Sequence, residues 1–284
     1  MCATCGCGDE AGARISGPDV GGEPVAVCEH GQGHEHGHGG EHVHGEAHDD
    51  GADRTVTLEQ RVLAKNDSLA RRNRERLAGA GIAALNLMSS PGSGKTALLE
   101  RTLAETAGLL PVSVIEGDQA TLFDADRIRA TGCQVVQINT GAGCHLDAEM
   151  LADGLRRLEP PENSVVVIEN VGNLVCPALF DLGERARVVI TSVTEGTDKP
   201  LKYPHMFRRA DLVLLNKIDL LPHVDFDVAR FRADVLAVNP RLEVRQISAT
   251  RGDGIAEWLT WLRDLQAGAA RPVAGGVGIP GGSR

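Results

Sequence analysis

No stretch of the sequence stays apolar for long enough to cross a bilayer, so the residues exclude a membrane-embedded role. The first residues also lack the apolar core of a secretory leader, and no signal peptide is expected. The seven cysteines are an odd number and are not spaced as a disulfide framework. Free thiols in a reducing cytoplasm fit that pattern better than bridges do. A basic excess is missing too. Beyond the N-terminal region the charges nearly cancel, so no nucleic-acid footprint is expected.

What is present begins with a concentration of charge. The 284 residues carry a formal net charge of −10. Residues 1–54 hold eleven acidic side chains against Arg14 and Arg54, which accounts for nine of the ten excess negative charges. This region opens on Cys2, Cys5 and Cys7, with Gly6 and Gly8 allowing so short a segment to close around one ion. Three thiolates and the chain's own amino group make four donors suited to planar Ni(II) or tetrahedral Zn(II). Residues 8–29 read as Gly- and acid-rich linker, in which Cys28 has no assigned role. Seven of the ten histidines follow: His30, His34, His36, His38, His42, His44 and His48. The tract is too polar to bury a core and is expected to be disordered. Its imidazoles would take up Ni(II), Zn(II) or Cu(II) at weak, interchangeable sites, as a reservoir would. A plain solvated spacer is the alternative.

The length allows one large α/β domain besides this extension. A capping box, Thr57 to Gln60, predicts a helix whose apolar side is Leu58, Val62, Leu69 and Leu77, with arginines on the other side. It is expected to pack on the domain or on a second copy of it. From Ala83 onward, buried strands alternate with helices. Strands are predicted at Ala83–Ser89, Val112–Glu116, Gln134–Asn139, Val165–Glu169, Arg187–Ser192, Leu212–Asn216 and Glu243–Ser248. Helices are predicted from Lys95 to about Ala107, and around Leu122–Ala130, Asp147–Leu158, Val228–Ala237 and Ile255–Leu265. Strands this uniformly apolar need helices on both faces, so the fold class is α/β: a doubly wound, mostly parallel sheet with a disordered metal-binding N-terminal extension. The expected units are residues 1–54 (extension), 55–82 (helix), 83–267 (nucleotide domain) and 268–284 (disordered tail).

Between the first strand and its helix lies Ser89-Ser90-Pro91-Gly92-Ser93-Gly94-Lys95-Thr96-Ala97, the layout of a phosphate-binding loop. Gly92 and Gly94 let the backbone of Ser93 through Ala97 approach phosphate oxygens. Lys95 would reach the β- and γ-phosphates, and Thr96 would hold Mg²⁺. Ser89 stands where the usual pattern G-x-x-x-x-G-K-S/T has its first glycine. Three companions follow in order. Glu169-Asn170-Val171-Gly172 ends a strand, and places a carboxylate near Mg²⁺ and the Gly172 N–H near the γ-phosphate. In Asn216-Lys217-Ile218-Asp219 the Asp219 carboxylate accepts from the guanine N1–H and amine, a donor pair adenine lacks. Lys217 would lie along the base and Asn216 would brace neighbouring loops. Ser248-Ala249 matches the loop that meets the guanine carbonyl. Together they predict GTP/GDP binding. In Glu116-Gly117-Asp118-Gln119, Asp118 is a further candidate for Mg²⁺ or water. Lys95, Asp118 and Glu169 are thus the candidate catalytic residues. No residue stands out as the water-orienting glutamine, so hydrolysis is expected to be slow.

A second cluster of metal donors is Cys144, His145 and Cys176, all on loops at the same sheet edge as the nucleotide. A two-fold dimer could join two such sets. The alternative is that Cys144 and Cys176 only pack, as Cys133 is expected to.

These motifs, with Gly143-Cys144-His145-Leu146-Asp147, Asn173-Leu174-Val175-Cys176-Pro177 and Glu195-Gly196-Thr197-Asp198-Lys199-Pro200, resemble the HypB family of nickel-incorporation GTPases, within the SIMIBI-class P-loop GTPases. The resemblance runs from Cys2 to about Leu265. It implies a cytoplasmic, GTP-favoured homodimer that delivers Ni²⁺ to the precursor of a nickel–iron hydrogenase large subunit, with the zinc metallochaperone HypA as partner. It implies a tight nickel site at Cys2, Cys5 and Cys7, and a weaker Ni²⁺/Zn²⁺ site at Cys144, His145 and Cys176. A urease-type nickel GTPase accessory protein, and a nickel/zinc store with a non-catalytic nucleotide domain, are the alternatives. A small-molecule kinase is disfavoured, because no lid or substrate carboxylate clamp is visible.

Overall fold

A computed structural model describes residues 14–16, 25–26, 50–118, 127–140 and 145–270, with side chains at 60–117, 127–140 and 145–269. The sequence-predicted sites Cys2, Cys5, Cys7, Cys144, Cys28 and the histidine tract lie outside the described residues, as does the Asp118 side chain.

Seven strands form the parallel core. They are β3 (Ala83–Ser89), β4 (Val112–Asp118), β5 (Gln134–Asn139), β6 (Val165–Glu169), β7 (Ala186–Ser192), β8 (Leu212–Asn216) and β9 (Glu243–Gln246). Two short strands, β1 (Arg14–Ser16) and β2 (Val25–Ala26), add antiparallel to the β5 edge, giving the order β2-β1-β5-β4-β6-β3-β7-β8-β9. Nothing in the sequence predicted these two. Three residues with one apolar side chain between Arg14 and Ser16 carry no readable period.

The strands are apolar on both faces because both are covered. Helix α2 (Lys95–Thr106) and helix α8 (Ile255–Ala270) cover one face through Leu98, Leu99, Trp258 and Leu262, which pack on Leu85, Leu87 and Val167. The buried Trp258 satisfies its indole N–H on the Thr102 hydroxyl at 2.8 Å. Helix α1 (Asp50–Gly79) and helix α3 (Ala148–Leu158) cover the other face beside Ile115, Ile138 and Ile168. Farther along that face, α6 (Pro204–Arg208) and α7 (Val228–Val238) bury Phe207, Phe231 and Val235 against Val189, Val213 and Leu215. Two more short helices, α4 (Cys176–Leu179) and α5 (Lys199–Lys202), and a 3₁₀ helix at Ile218–His223 lie in loops after strands.

Helix α1 corrects two expectations. It begins at Asp50, so Thr57 lies inside it and is not its N-cap. The buried face matches the predicted stripe only in part, at Leu77 and, half-buried, Leu69. Asn66, Ala70, Asn73 and Leu77 are buried, whereas Val62 is half exposed. The helix packs on the domain of its own chain, chiefly on α3. Its partner there fits the sequence reading, with Asp147 capping α3 by accepting from the Met150 N–H at 2.8 Å. At the other end of the chain, α8 continues to Ala270, past the expected limit near Leu265.

Among the described residues, no helix is long and apolar enough to cross a membrane. Because β3 to β9 run parallel, Ser89, Asp118, Asn139, Glu169, Ser192 and Asn216 all end at one edge of the sheet. Ligands of open α/β sheets bind at that edge, where neighbouring connections diverge.

Candidate nucleotide and metal site

The loop between β3 and α2 is built for close approach. Gly92 and Gly94 have φ of 75° and 97°, a region side-chain-bearing residues seldom occupy. Gly94 has a second constraint: a Cβ there would lie 2.4 Å from Asn216 Nδ2. Ser89 needs neither exemption. It is the last residue of β3, paired with Ile190, so a glycine is not demanded at that position. Its buried hydroxyl donates to the Ser90 carbonyl at 2.8 Å and accepts from Lys95 Nζ at 3.1 Å. The Thr96 hydroxyl donates to Glu169 Oε1 at 3.3 Å. Glu169 is buried at the end of β6, in register with buried Glu116 on β4. Two carboxylates and a hydroxyl at one sheet edge are hard oxygen donors, which fit a hydrated divalent cation such as Mg²⁺.

The 216–219 and 248–249 segments are fastened to this loop. Asn216 Nδ2 donates to the Ser93 carbonyl at 2.9 Å, and its Oδ1 accepts from the Ala249 N–H at 3.1 Å. Lys217 adopts the left-handed conformation (φ 61°), and its Nζ donates to the Gly92 carbonyl at 2.7 Å. Asp219 Oδ1 accepts from the Ser248 hydroxyl at 2.6 Å. The sequence-predicted residues Gly92, Ser93, Gly94, Lys95, Thr96, Ala97, Asn216, Lys217, Asp219, Ser248 and Ala249 thus come together.

The Glu195–Pro200 motif, quoted above without a role, forms a part-buried cluster beside the loop. Lys199 Nζ donates to Ser90 Oγ at 2.7 Å and pairs with Glu195, whose carboxylate also accepts from the Ser90 hydroxyl. Burial pulls the Lys199 ammonium below its ordinary value, and the Lys202 charge adds to this. Besides the family resemblance, the signal for this contact was the four-residue spacing of Glu195 and Lys199 in a loop containing Gly and Pro.

Asn170, also quoted without a role of its own, links the phosphate loop's neighbours to the metal segments. Its Oδ1 accepts from the Val171 N–H at 3.0 Å and the Leu146 N–H at 3.3 Å, and its Nδ2 donates to Asn86 Oδ1 at 3.3 Å. Two residues on, Gly172 lies against Pro91, where a Cβ would come 3.1 Å from Pro91 Cγ. The next loop packs on Gly117, whose Cβ would meet Leu146 at 2.7 Å.

Of the sequence-predicted metal donors, His145 and Cys176 are described. His145 stacks on Phe180, ring centroids 4.0 Å apart, so the segment starting at His145 adjoins the one starting at Cys176. Burial holds the imidazole below its ordinary pKa, opposed by the Asp147 charge, which favours the neutral form that ligates metals. Cys176 is a buried free thiol at the start of α4. Among the described residues, no group of three or more His, Cys, Asp or Glu side chains is poised around a common point. Cys133 packs as expected. Its thiol donates to the Val112 carbonyl at 3.1 Å, and burial pushes it up to about 12.

Comparison with known proteins accords with this geometry. Residues 83–246 match the family model described as the CobW/HypB/UreG nucleotide-binding domain. The chain is 57% identical over 209 residues to the hydrogenase maturation factor HypB of Escherichia coli K12, covering 74% of this chain and 72% of that one. The crystal structure of HypB from Archaeoglobus fulgidus superposes with a TM-score of 0.68 at 42% identity, covering 72% of this chain and all (100%) of that one. The structure of HypB from Helicobacter pylori in complex with nickel gives 0.68 at 37% identity, covering 74% of this chain and 99% of that one.

Proposed function

The chain belongs to the CobW/HypB/UreG family and, within it, to the HypB hydrogenase maturation factors, and from that premise we propose that it is a GTP-hydrolysing nickel carrier of hydrogenase maturation. The observation that carries the guanine specificity is the fastening of the base-reading segment to the phosphate loop. Asn216 and Lys217 hold the Ser93 and Gly92 carbonyls, so the Asp219 carboxylate is fixed relative to the phosphates. A carboxylate there pairs with the two adjacent donors of guanine.

In the reaction, the N–H groups of Ser93 through Ala97 and the Lys95 ammonium stabilise charge on the phosphates. Thr96 and Glu169, with Asp118, would hold Mg²⁺, which neutralises charge on the β- and γ-phosphates. The Gly172 N–H faces the γ-phosphate. Asp118 is the alternative candidate for positioning the attacking water, and turnover is expected to be slow because no glutamine stands out in the sequence for that role. The cargo is Ni²⁺, held tightly by Cys2, Cys5 and Cys7 and more weakly, in competition with Zn²⁺, by Cys144, His145 and Cys176. The GTP-bound form dimerises, and the cytoplasmic partners are the zinc metallochaperone HypA and the hydrogenase large-subunit precursor. A relative crystallised with nickel supports the cargo assignment.

The test is Asp219→Asn. Xanthine carries a carbonyl where guanine has its amine, so an amide suits it and a carboxylate does not. The variant is expected to lose affinity for GTP by about a hundredfold or more, the scale of a lost charge-assisted pair. It should instead hydrolyse xanthosine triphosphate. Unchanged GTP affinity and turnover in this variant would refute guanine reading at Asp219.

A further inference from the structure

Helix α1 carries two asparagines on the face it buries, seven residues apart, at positions where an apolar side chain would ordinarily pack. Asn66 and Asn73 are each about 95% buried. A buried amide costs free energy unless its hydrogen bonds are made, so what each one meets is informative.

Each bridges the same two segments. Asn66 accepts from the Ala148 N–H at 2.9 Å and donates to the Asp181 carbonyl at 2.8 Å. Asn73 donates to the Ala148 carbonyl at 2.8 Å and to the Leu182 carbonyl at 3.0 Å. Ala148 opens α3, three residues after His145. Asp181 and Leu182 follow α4, five and six residues after Cys176. The Ala148 N–H is among the first of its helix, with no partner inside it, so the Asn66 amide caps α3 from another element.

The contact between α1 and the second segment is backbone-close. Gly183 has φ 91°, and a Cβ on it would lie 2.3 Å from the Ala70 carbonyl oxygen. Asp181 accepts from Arg74 at 2.7 and 2.8 Å and from the Gly183 N–H at 2.8 Å. The same two segments also meet through the His145–Phe180 stack, with Phe180 directly before Asp181. Helix α1 therefore ties the start of α3 to the 181–182 stretch, and the ring stack joins the two segments a second time beside His145.

We propose that Asn66 and Asn73 are positioning residues for metal binding by His145 and Cys176: the two amides hold the 145–148 and 176–182 segments at the separation the metal needs. This rests on the assignment of those side chains as donors. Neither asparagine touches the phosphate loop or the 216–219 segment in any of these bonds, so the effect should be confined to metal.

The experiment uses the full chain with Cys2, Cys5 and Cys7 replaced by alanine in every sample, which removes the N-terminal thiolates. NiCl₂ is titrated while the thiolate-to-nickel charge-transfer absorption is followed. Histidines alone do not give this absorption, and Cys176→Ser serves as the control that assigns it. In Asn66→Ala and Asn73→Ala, nickel affinity is expected to fall by about tenfold or more each, the scale seen when an outer hydrogen bond to a metal site is cut. GDP affinity should stay unchanged. Asn66→Asp keeps the acceptor for Ala148 and is expected to fall between wild type and Asn66→Ala.

Nickel affinity and absorption unchanged in both alanine variants would overturn the positioning role while leaving the donors intact. A parallel loss of GDP affinity would overturn it as well, since that is general unfolding. Absorption unaffected by Cys176→Ser would refute the donor assignment itself.

Discussion

The glycines of the phosphate loop separate two kinds of constraint that a motif merges. Gly92 and Gly94 both have positive φ, but only Gly94 has an atom in the way of a Cβ. Gly92→Ala should therefore cost only the conformational strain, about 1 kcal/mol. Gly94→Ala adds displacement of the Asn216 amide and loss of its bond to the Ser93 carbonyl, for about 2–3 kcal/mol in all. Calorimetric GDP titration should show Gly94→Ala weakening binding about 5- to 30-fold more than Gly92→Ala. Equal losses would mean the Asn216 contact is not what the glycine serves. The same scale shows what a motif can and cannot reveal. Lys95, Thr96 and Asp219 were legible because their chemistry demands those residue types at that spacing. Ser89 looked like a departure although the predicted strand already ran through it; what a sequence does not disclose is that its hydroxyl accepts from Lys95. The roles of Asn170 and of the Glu195–Lys199 pair were not legible, because the contacts that give them those roles, to Leu146 and to Ser90, lie 24 and 109 residues away in the chain.

At the scale of elements, the strands were legible and the helix that braces them was misread. Val, Ile and Leu in unbroken runs have one stable use in a protein of this kind, a sheet covered on both sides. Helix α1 broke its own periodicity by burying amides, so the apolar period pointed to Val62 in place of Asn66 and Asn73. The short helices α4 to α6 had no period to offer. Helix α1 also makes a pH prediction. Burial pushes the Asp181 carboxyl up, but the Arg74 hydrogen bond, the Gly183 N–H and the charges of Arg74 and Arg187 together hold it below the ordinary carboxylate range. A carboxylate with a depressed native pKa contributes stability above its unfolded value and loses it as pH falls through the native one. Both partners are partly solvated, so the contribution is at most about 1 kcal/mol. Arg74→Gln should lower Tm at pH 7, and the difference from wild type should shrink as pH falls through and below the ordinary carboxylate range. Thermal melts across that range check it. A constant difference would mean that Arg74 acts by packing alone.

Taken whole, the molecule places the phosphate loop and the segments of His145 and Cys176 on one edge of one sheet, and a chain of contacts connects them. The nucleotide unit is the part shared with relatives: about three-quarters of this chain spans essentially the entire A. fulgidus and H. pylori structures. Within it, a γ-phosphate in the loop would press on Pro91, which already lies against Gly172. Gly172 is two residues from Asn170, whose single oxygen receives both the Val171 and Leu146 N–H groups. Leu146 follows His145 directly. A shift of the 169–172 segment therefore pulls on the metal segment through one side chain. Coupling free energies between sites are typically about 1–3 kcal/mol, or about 5- to 150-fold in affinity. In the wild type, nickel affinity at His145 and Cys176 should differ by a factor in that range between GDP and a non-hydrolysable GTP analogue. Asn170→Ala should bring the ratio close to one while leaving affinity for either nucleotide nearly intact, since the Asn170 side chain bonds Leu146, Val171 and Asn86, none of them in the phosphate loop. The Leu146 N–H left without its partner would lower stability by about 1–3 kcal/mol, which a urea melt would register separately. By linkage the converse must hold, and nickel should change the preference for GTP over GDP by the same factor in wild type and not in the variant. A variant that keeps the full nucleotide dependence of nickel binding would show that the two sites communicate by another path, or through a second subunit.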